Sequence, residues 1–199
     1  MSACTWKQCV NFCYGGFKIL WGIGVGSAWI GADGIYNFFQ GCIQLYQILR
    51  HKKVTDLRKR WKSYRISGWL IIVMHLTMTG MMFQMIRMGR HQSATEISII
   101  ATAAFTFYKL IGACVAVAKD RKHKDPVASS VIFQNFGQAL YNLFVLQVGL
   151  LWVFGGEGYP YRELMNTLTG MAVCMLVLGM GIYMVRRANK NLKNEKSTA

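Results

Sequence analysis

The sequence predicts an all-α, polytopic membrane protein: a bundle of six transmembrane helices with both termini in the cytoplasm. Three observations predict it. The 199 residues are 53% hydrophobic and only 16% charged, against about a quarter charged in an ordinary soluble domain. The few charges are clustered, leaving stretches such as Ile66–Gln84, Ile97–Tyr108 and Leu164–Val185 without an acid, Lys or Arg; about 20 mostly apolar residues cross a hydrocarbon core roughly 30 Å thick. The basic residues, finally, fall on alternate connections between apolar segments, the positive-inside pattern.

Taken in order, the segments give six helices, with four or five spans as the alternative if the first two form a re-entrant pair. Val10–Leu49 holds one Lys and one Asp. As a single helix it would be about 60 Å long, twice the membrane, so it folds back, and the Gly-rich stretch around Gly26 is the natural turn. This gives helices over 8–26 and 29–50. Arg50–Arg65, with eight Lys/Arg and one Asp, reads as a basic loop. Helices over 66–88 and 95–118 follow, joined by a short polar link. Lys119–Asp125 is charged, and Pro126 suits the first turn of a helix over 126–154. Gly155–Tyr161, with three glycines and Pro160, reads as a turn. A last helix over 162–187 and a polar basic tail, 188–199, complete a single transmembrane domain with no room for a separate soluble one.

Charge fixes the orientation. One side carries Lys7, the 50–65 and 119–125 segments and the tail, 18 Lys/Arg and four acids. The other carries Arg87, Arg90 and Arg162 against Glu96, Glu157 and Glu163. Basic segments face the cytoplasm, so both termini lie there, in the plasma membrane. The same distribution turns a net charge of +15 away from nucleic acid, which would want basic residues and exposed aromatics on one folded face. The partner it implies is the lipid bilayer. Met1–Val10 has no apolar core for a cleavable signal. Cys42, Cys114 and Cys174 lie in apolar spans as small buried thiols, and a reducing compartment disfavours disulfides. No cofactor is expected.

Polar residues inside the spans mark the candidate site. Asp33, Asn37, Gln40, Gln44 and Gln47 are spaced four, three, four and three apart, a single stripe on a helix with 3.6 residues per turn. Such a face avoids lipid, because each unsatisfied polar group there costs several kcal/mol. It lines either a polar path or a helix–helix contact held by amides. Asn135, Gln138 and Asn142, flanked by Gln134, repeat the theme in the fifth helix, so the two stripes are expected to face each other. Asp33 is the one acid within a span, and an ionisable residue there marks function by default. Lys18, Lys109 and His75 are the intramembrane candidates to answer it. Counting rise along the helices puts both lysines nearer the cytoplasmic half and Asp33 nearer the outer half, so direct pairing is not expected. Gly22 and Gly26 form a small-xxx-small step for close helix approach. No Ser, His and carboxylate set, HExxH or CxxC is present, which argues against an enzyme.

These residues carry a resemblance. Asn11–Phe38 resembles the first hairpin of the cation diffusion facilitator family, with an Asn, a Lys, a Gly-Ser turn and an Ala-Asp step at Asn11, Lys18, Gly26-Ser27 and Ala32-Asp33. YKLIGACVAVAKDRKHKDPVASS resembles the family's fourth helix, its basic loop and the start of the fifth; MNTLTGMAVCMLVLGMGIYMVRRANKNL resembles its sixth. The resemblance implies six helices, cytoplasmic termini, a homodimer and export of divalent cations in exchange for protons. It also implies pairs of Asp or His ligands one turn apart on the second and fifth helices. Asp33 matches one ligand, which makes it the metal candidate. Asn37 takes its partner's place, and Phe133–Asn142 offers Gln134, Asn135 and Gln138 but no acid or His. Neutral amides serve Zn²⁺ poorly beside thiolate, imidazole and carboxylate, and the family's cytoplasmic domain has no counterpart here. The expected activity is therefore transport of a small cation or polar solute along a polar path between helices two and five; the alternative is a non-transporting relative acting as scaffold, partner subunit or regulator.

Overall fold

The computed structural model describes residues 2–25, 28–53, 56–88, 96–120, 125–155 and 161–197. They form six helices: α1 (Ser2–Val25), α2 (Ala28–Lys53), α3 (Leu57–Met88), α4 (Glu96–Asp120), α5 (Pro126–Val153) and α6 (Arg162–Ser197). There is no strand among the described residues. The chain divides into two compact units, Met1–Asp56 and Leu57–Ala199. The turn expected at Gly26 and parts of the links expected before helices four, five and six fall on 26–27, 89–95, 121–124 and 156–160, outside the described residues.

The first unit is the α1–α2 hairpin, and its helices meet backbone to backbone. A Cβ at Gly15 would lie 2.8 Å from Phe38 N, and one at Gly34 would lie 2.7 Å from Ile19 N. Only glycine permits that approach, the small-residue logic of membrane helix packing. The Phe12 and Phe38 rings, with centroids 4.3 Å apart, pack midway along the two helices. The close approach is seen at Gly15 and Gly34; Gly26 of the expected Gly22–Gly26 step lies outside the described residues.

In the second unit α3 packs mainly on α6, α4 on α5, and α5 also on α3 and α6. The α3–α6 crossing is tight at Gly68, whose Cβ would meet Gly181 O at 3.1 Å. Phe144, fully buried, fills the space left by Gly170. Asp125 caps α5 by accepting from Val127 N at 3.1 Å, Pro126 opens its first turn, and Ser129 donates to Asp120 Oδ1 at 2.8 Å. Arg60 of α3 pairs with Asp125 at 3.5 Å.

Two expected boundaries move. Most of the 50–65 loop is helix, since α2 runs to Lys53 and α3 starts at Leu57. Its Lys and Arg residues are good helix formers, and Trp61 and Tyr64, three apart on one face, are buried. Likewise α6 continues through the expected tail to Ser197, with Ala188 fully buried and Arg65 donating to Asn189 at 3.3 Å. Helices of 32 and 36 residues are about 48 and 54 Å long, so α3 and α6 exceed a hydrocarbon core and stay paired at their basic ends.

The outward surface is apolar. Leu20 and Ile23 of α1, Tyr108 and Ile111 of α4, and Met175 and Leu176 of α6 are all more than half exposed. Patches of this kind suit lipid rather than water. Among the described residues α4, α5 and α6 are long and apolar enough to cross a membrane, over Thr102–Asp120, Pro126–Val153 and Arg162–Asn194. The protein is a membrane-type helical bundle.

Candidate functional site

Asp33 sits two turns into α2, and the expectation that it has no direct lysine partner is overturned. Lys18 Nζ of α1 donates to Asp33 Oδ2. The reason is hairpin geometry. Gly15 lies against Phe38 and Gly34 against Ile19, so pairing is centred on residues 26–27. Lys18 and Asp33 stand about 12 and 9 Å along their helices from that centre, and the lysine stem spans the difference. Rough counting of rise missed what the register of the two helices reveals.

The other carboxylate oxygen is also engaged. Asn37 Nδ2, one turn on, donates to Asp33 Oδ1 at 3.1 Å and to Asp33 O at 2.7 Å. Asp33 is thus neutralised by an ammonium and oriented by an amide, which satisfies the requirement that a buried charge be paired and hydrogen-bonded. The side chains of Lys18 and Asp33 keep 19% and 13% exposure, so the pair is near, but not sealed from, its surroundings. Tyr36, also buried, flanks it.

The rest of the α2 stripe turns inward as its spacing predicts. Asn37, Gln40, Gln44 and Gln47 are buried, while Ile35, Phe39, Leu45 and Leu49 between them are exposed. Gln44 is fully buried, and neither Nε2 nor Oε1 has a hydrogen-bond partner among the described residues. A buried amide left so costs about 1–3 kcal/mol per group.

The α5 amides belong to the other unit, and their face differs from the expected one. Gln134 and Gln138 are buried, whereas Asn135 and Asn142 are only half-buried. The inward face runs through Gln134, Gly137, Gln138 and Tyr141 because α3 and α6 both pack there. A Cβ at Gly137 would meet Val177 Cγ1 at 3.4 Å and His75 Cε1 at 3.6 Å. His75 of α3 is therefore an interior residue of this unit. Its ring bonds the Ile71 backbone one turn back, and its Nε2 has no partner among the described residues. One turn on, Thr79 donates to His75 O at 2.8 Å and lies 3.3 Å from Cys174 Sγ. Lys109, half-buried on α4, places Nζ 4.7 Å from the centroid of the Phe105 ring, a cation–π contact within its own helix. Of the two lysine candidates, Lys18 is thus the one seen bonded to Asp33.

Among the described residues no three His, Cys, Asp or Glu side chains gather as a metal centre. At the basic ends of α3 and α6, Tyr64 is fully buried and its phenol is pushed up to about 12, chiefly by loss of water. The Arg187 guanidinium lies 5.9 Å from the Trp61 ring centroid beside it. No family model, no curated protein and no solved structure matches this chain.

Proposed function

We propose that the chain is a plasma-membrane protein of six spans, with both termini and the basic helix ends in the cytoplasm, that moves a small cation or polar solute past the amide-lined face of α2. The observation that carries the reading is Gln44: an amide buried on a polar stripe, with neither of its polar atoms bonded among the described residues. Water or a passing solute supplies such partners. Asp33 is the charge-bearing point of the path, with Asn37, Gln40 and Gln44 as neutral oxygen and nitrogen donors. A cation reaches Asp33 by displacing the Lys18 ammonium from Oδ2, which sets a threshold that weakly bound ions do not pass. Descent from cation diffusion facilitators fits the Asn11–Phe38 resemblance, with the Zn²⁺ ligands reduced to this one carboxylate.

A second reading has its own support. Both Asp33 oxygens are already bonded, as in a clip that fixes a hairpin, and a non-transporting scaffold or partner subunit needs nothing more. Flux into proteoliposomes across a panel of monovalent and divalent cations and small polar solutes separates the two. Transport predicts flux for at least one species, reduced to leak level by Gln44→Leu and altered in selectivity by Asp33→Asn. Flux for none of them, with correctly inserted protein, selects the scaffold.

A further inference from the structure

The outer face of α6 changes character over a short distance. Leu164–Val185 has no acid, Lys or Arg, and Arg186 and Arg187 follow at once. Twenty-two helical residues cover about 33 Å, the thickness of a hydrocarbon core, so the two arginines stand where hydrocarbon gives way to headgroups. A groove of about 380 Å³ crosses this boundary, lined by Gly179, Ile182, Tyr183, Arg186, Arg187 and Lys190. Its lining is almost wholly apolar, the basic residues contributing mainly their carbon stems, and its two ends differ in the heads those residues carry. At the apolar end Gly179 leaves open space, since a Cβ there would meet nothing within 4 Å, and Ile182 and Tyr183 are about half exposed. The Tyr183 ring is held 6.1 Å from that of Phe133. At the polar end are three cations, with no acid on α6 from Leu164 to Asn194. Arg186 and Lys190 are exposed one turn apart, while Arg187 is held over Trp61.

We propose that this groove is a binding site for one anionic phospholipid of the cytoplasmic leaflet. The phosphodiester lies between Arg186, Arg187 and Lys190, where guanidinium forks match phosphate oxygens. The glycerol region sits at Tyr183, an amphipathic ring at its usual interfacial depth. One acyl chain runs over Ile182 into the notch at Gly179. The site rests on α6 being a span and is independent of transport.

Native mass spectrometry of the full chain, released from nanodiscs containing phosphatidylglycerol and phosphatidylcholine, tests it. Wild type retains phosphatidylglycerol in preference to phosphatidylcholine. Arg186→Gln with Lys190→Gln, both at exposed positions, loses about fivefold in retention per charge, about 25-fold in all. Gly179→Leu lowers retention of both lipids and keeps the preference between them. Lys59→Gln with Lys62→Gln, exposed charges at the same end of the molecule on α3, leaves retention unchanged, and excess inorganic phosphate does not release the lipid. Equal retention of both lipids by wild type, an equal loss in the α3 control, or release by inorganic phosphate would each overturn the site. Absence of solute flux would not touch it.

Discussion

At the scale of single residues, the α1–α2 hairpin is governed by what is missing from two positions. Gly15 and Gly34 face the partner backbone at distances no Cβ tolerates, whereas Gly16 and Gly31 face open space. Gly34→Ala or Gly15→Ala should therefore push the helices apart and cost about 1–3 kcal/mol. Gly31→Ala or Gly16→Ala should be neutral or raise stability by about 0.5–1 kcal/mol through helix propensity. Thermal unfolding of the four variants in one detergent checks the contrast, and equal effects at facing and open positions would contradict the close approach. The Lys18–Asp33 pair gives a sharper test. Asp33→Asn leaves an ammonium without its counter-charge and should cost about 2–3 kcal/mol, less than a sealed pair because both side chains keep some exposure. Lys18→Met combined with Asp33→Leu removes both charges and should return stability to near wild type. A double variant as unstable as the single one would show that the pair itself, and not its imbalance, sets stability.

At the scale of helices, side chains fix the start of α5. Asp125 caps α5 and pairs with Arg60, and Ser129 ties back to Asp120. Asp125→Ala should cost about 1 kcal/mol, as for other caps, and hydrogen exchange should quicken first at the Val127 amide. This junction was readable in advance: an acid before a proline, following a charged stretch, announces a helix start. So were the helix number and the buried stripe of α2, because a repeat of four, three, four and three has one geometric meaning. The continuation of α3 and α6 past the apolar stretches was not. Clustered Lys and Arg read as loop when only membrane burial is considered, and Trp61, Tyr64 and Ala188 became interior positions only because the two basic ends pack side by side. The inward face of α5 was half legible. Gln134 and Asn135 are adjacent, and which of them turns inward depends on where α3 and α6 lie, which no periodicity within α5 encodes.

At the scale of the whole molecule, the asymmetry of charge makes the strongest statement. If the proposed six spans and cytoplasmic termini hold, cysteines placed at Lys62 and Lys193 in a background without native cysteines should react with a membrane-impermeant thiol reagent only from the cytoplasmic side. One placed at Glu163 should react only from outside. Labelling of Glu163→Cys and Lys193→Cys from the same side would remove α6 as a span.

The Lys18–Asp33 bond also bears on how the chain enters the membrane. Alone, α1 would carry an ammonium into the bilayer and α2 a carboxylate, at about 3 kcal/mol each near the centre on insertion scales. If both are spans, folding against each other at the translocon would let them enter as one neutral body, with Gly15 and Gly34 allowing the close approach. Biogenesis should then be concerted for this hairpin. In a glycosylation-reporter assay, α2 alone should insert poorly, α2 preceded by α1 should insert efficiently, and Lys18→Glu should abolish that help.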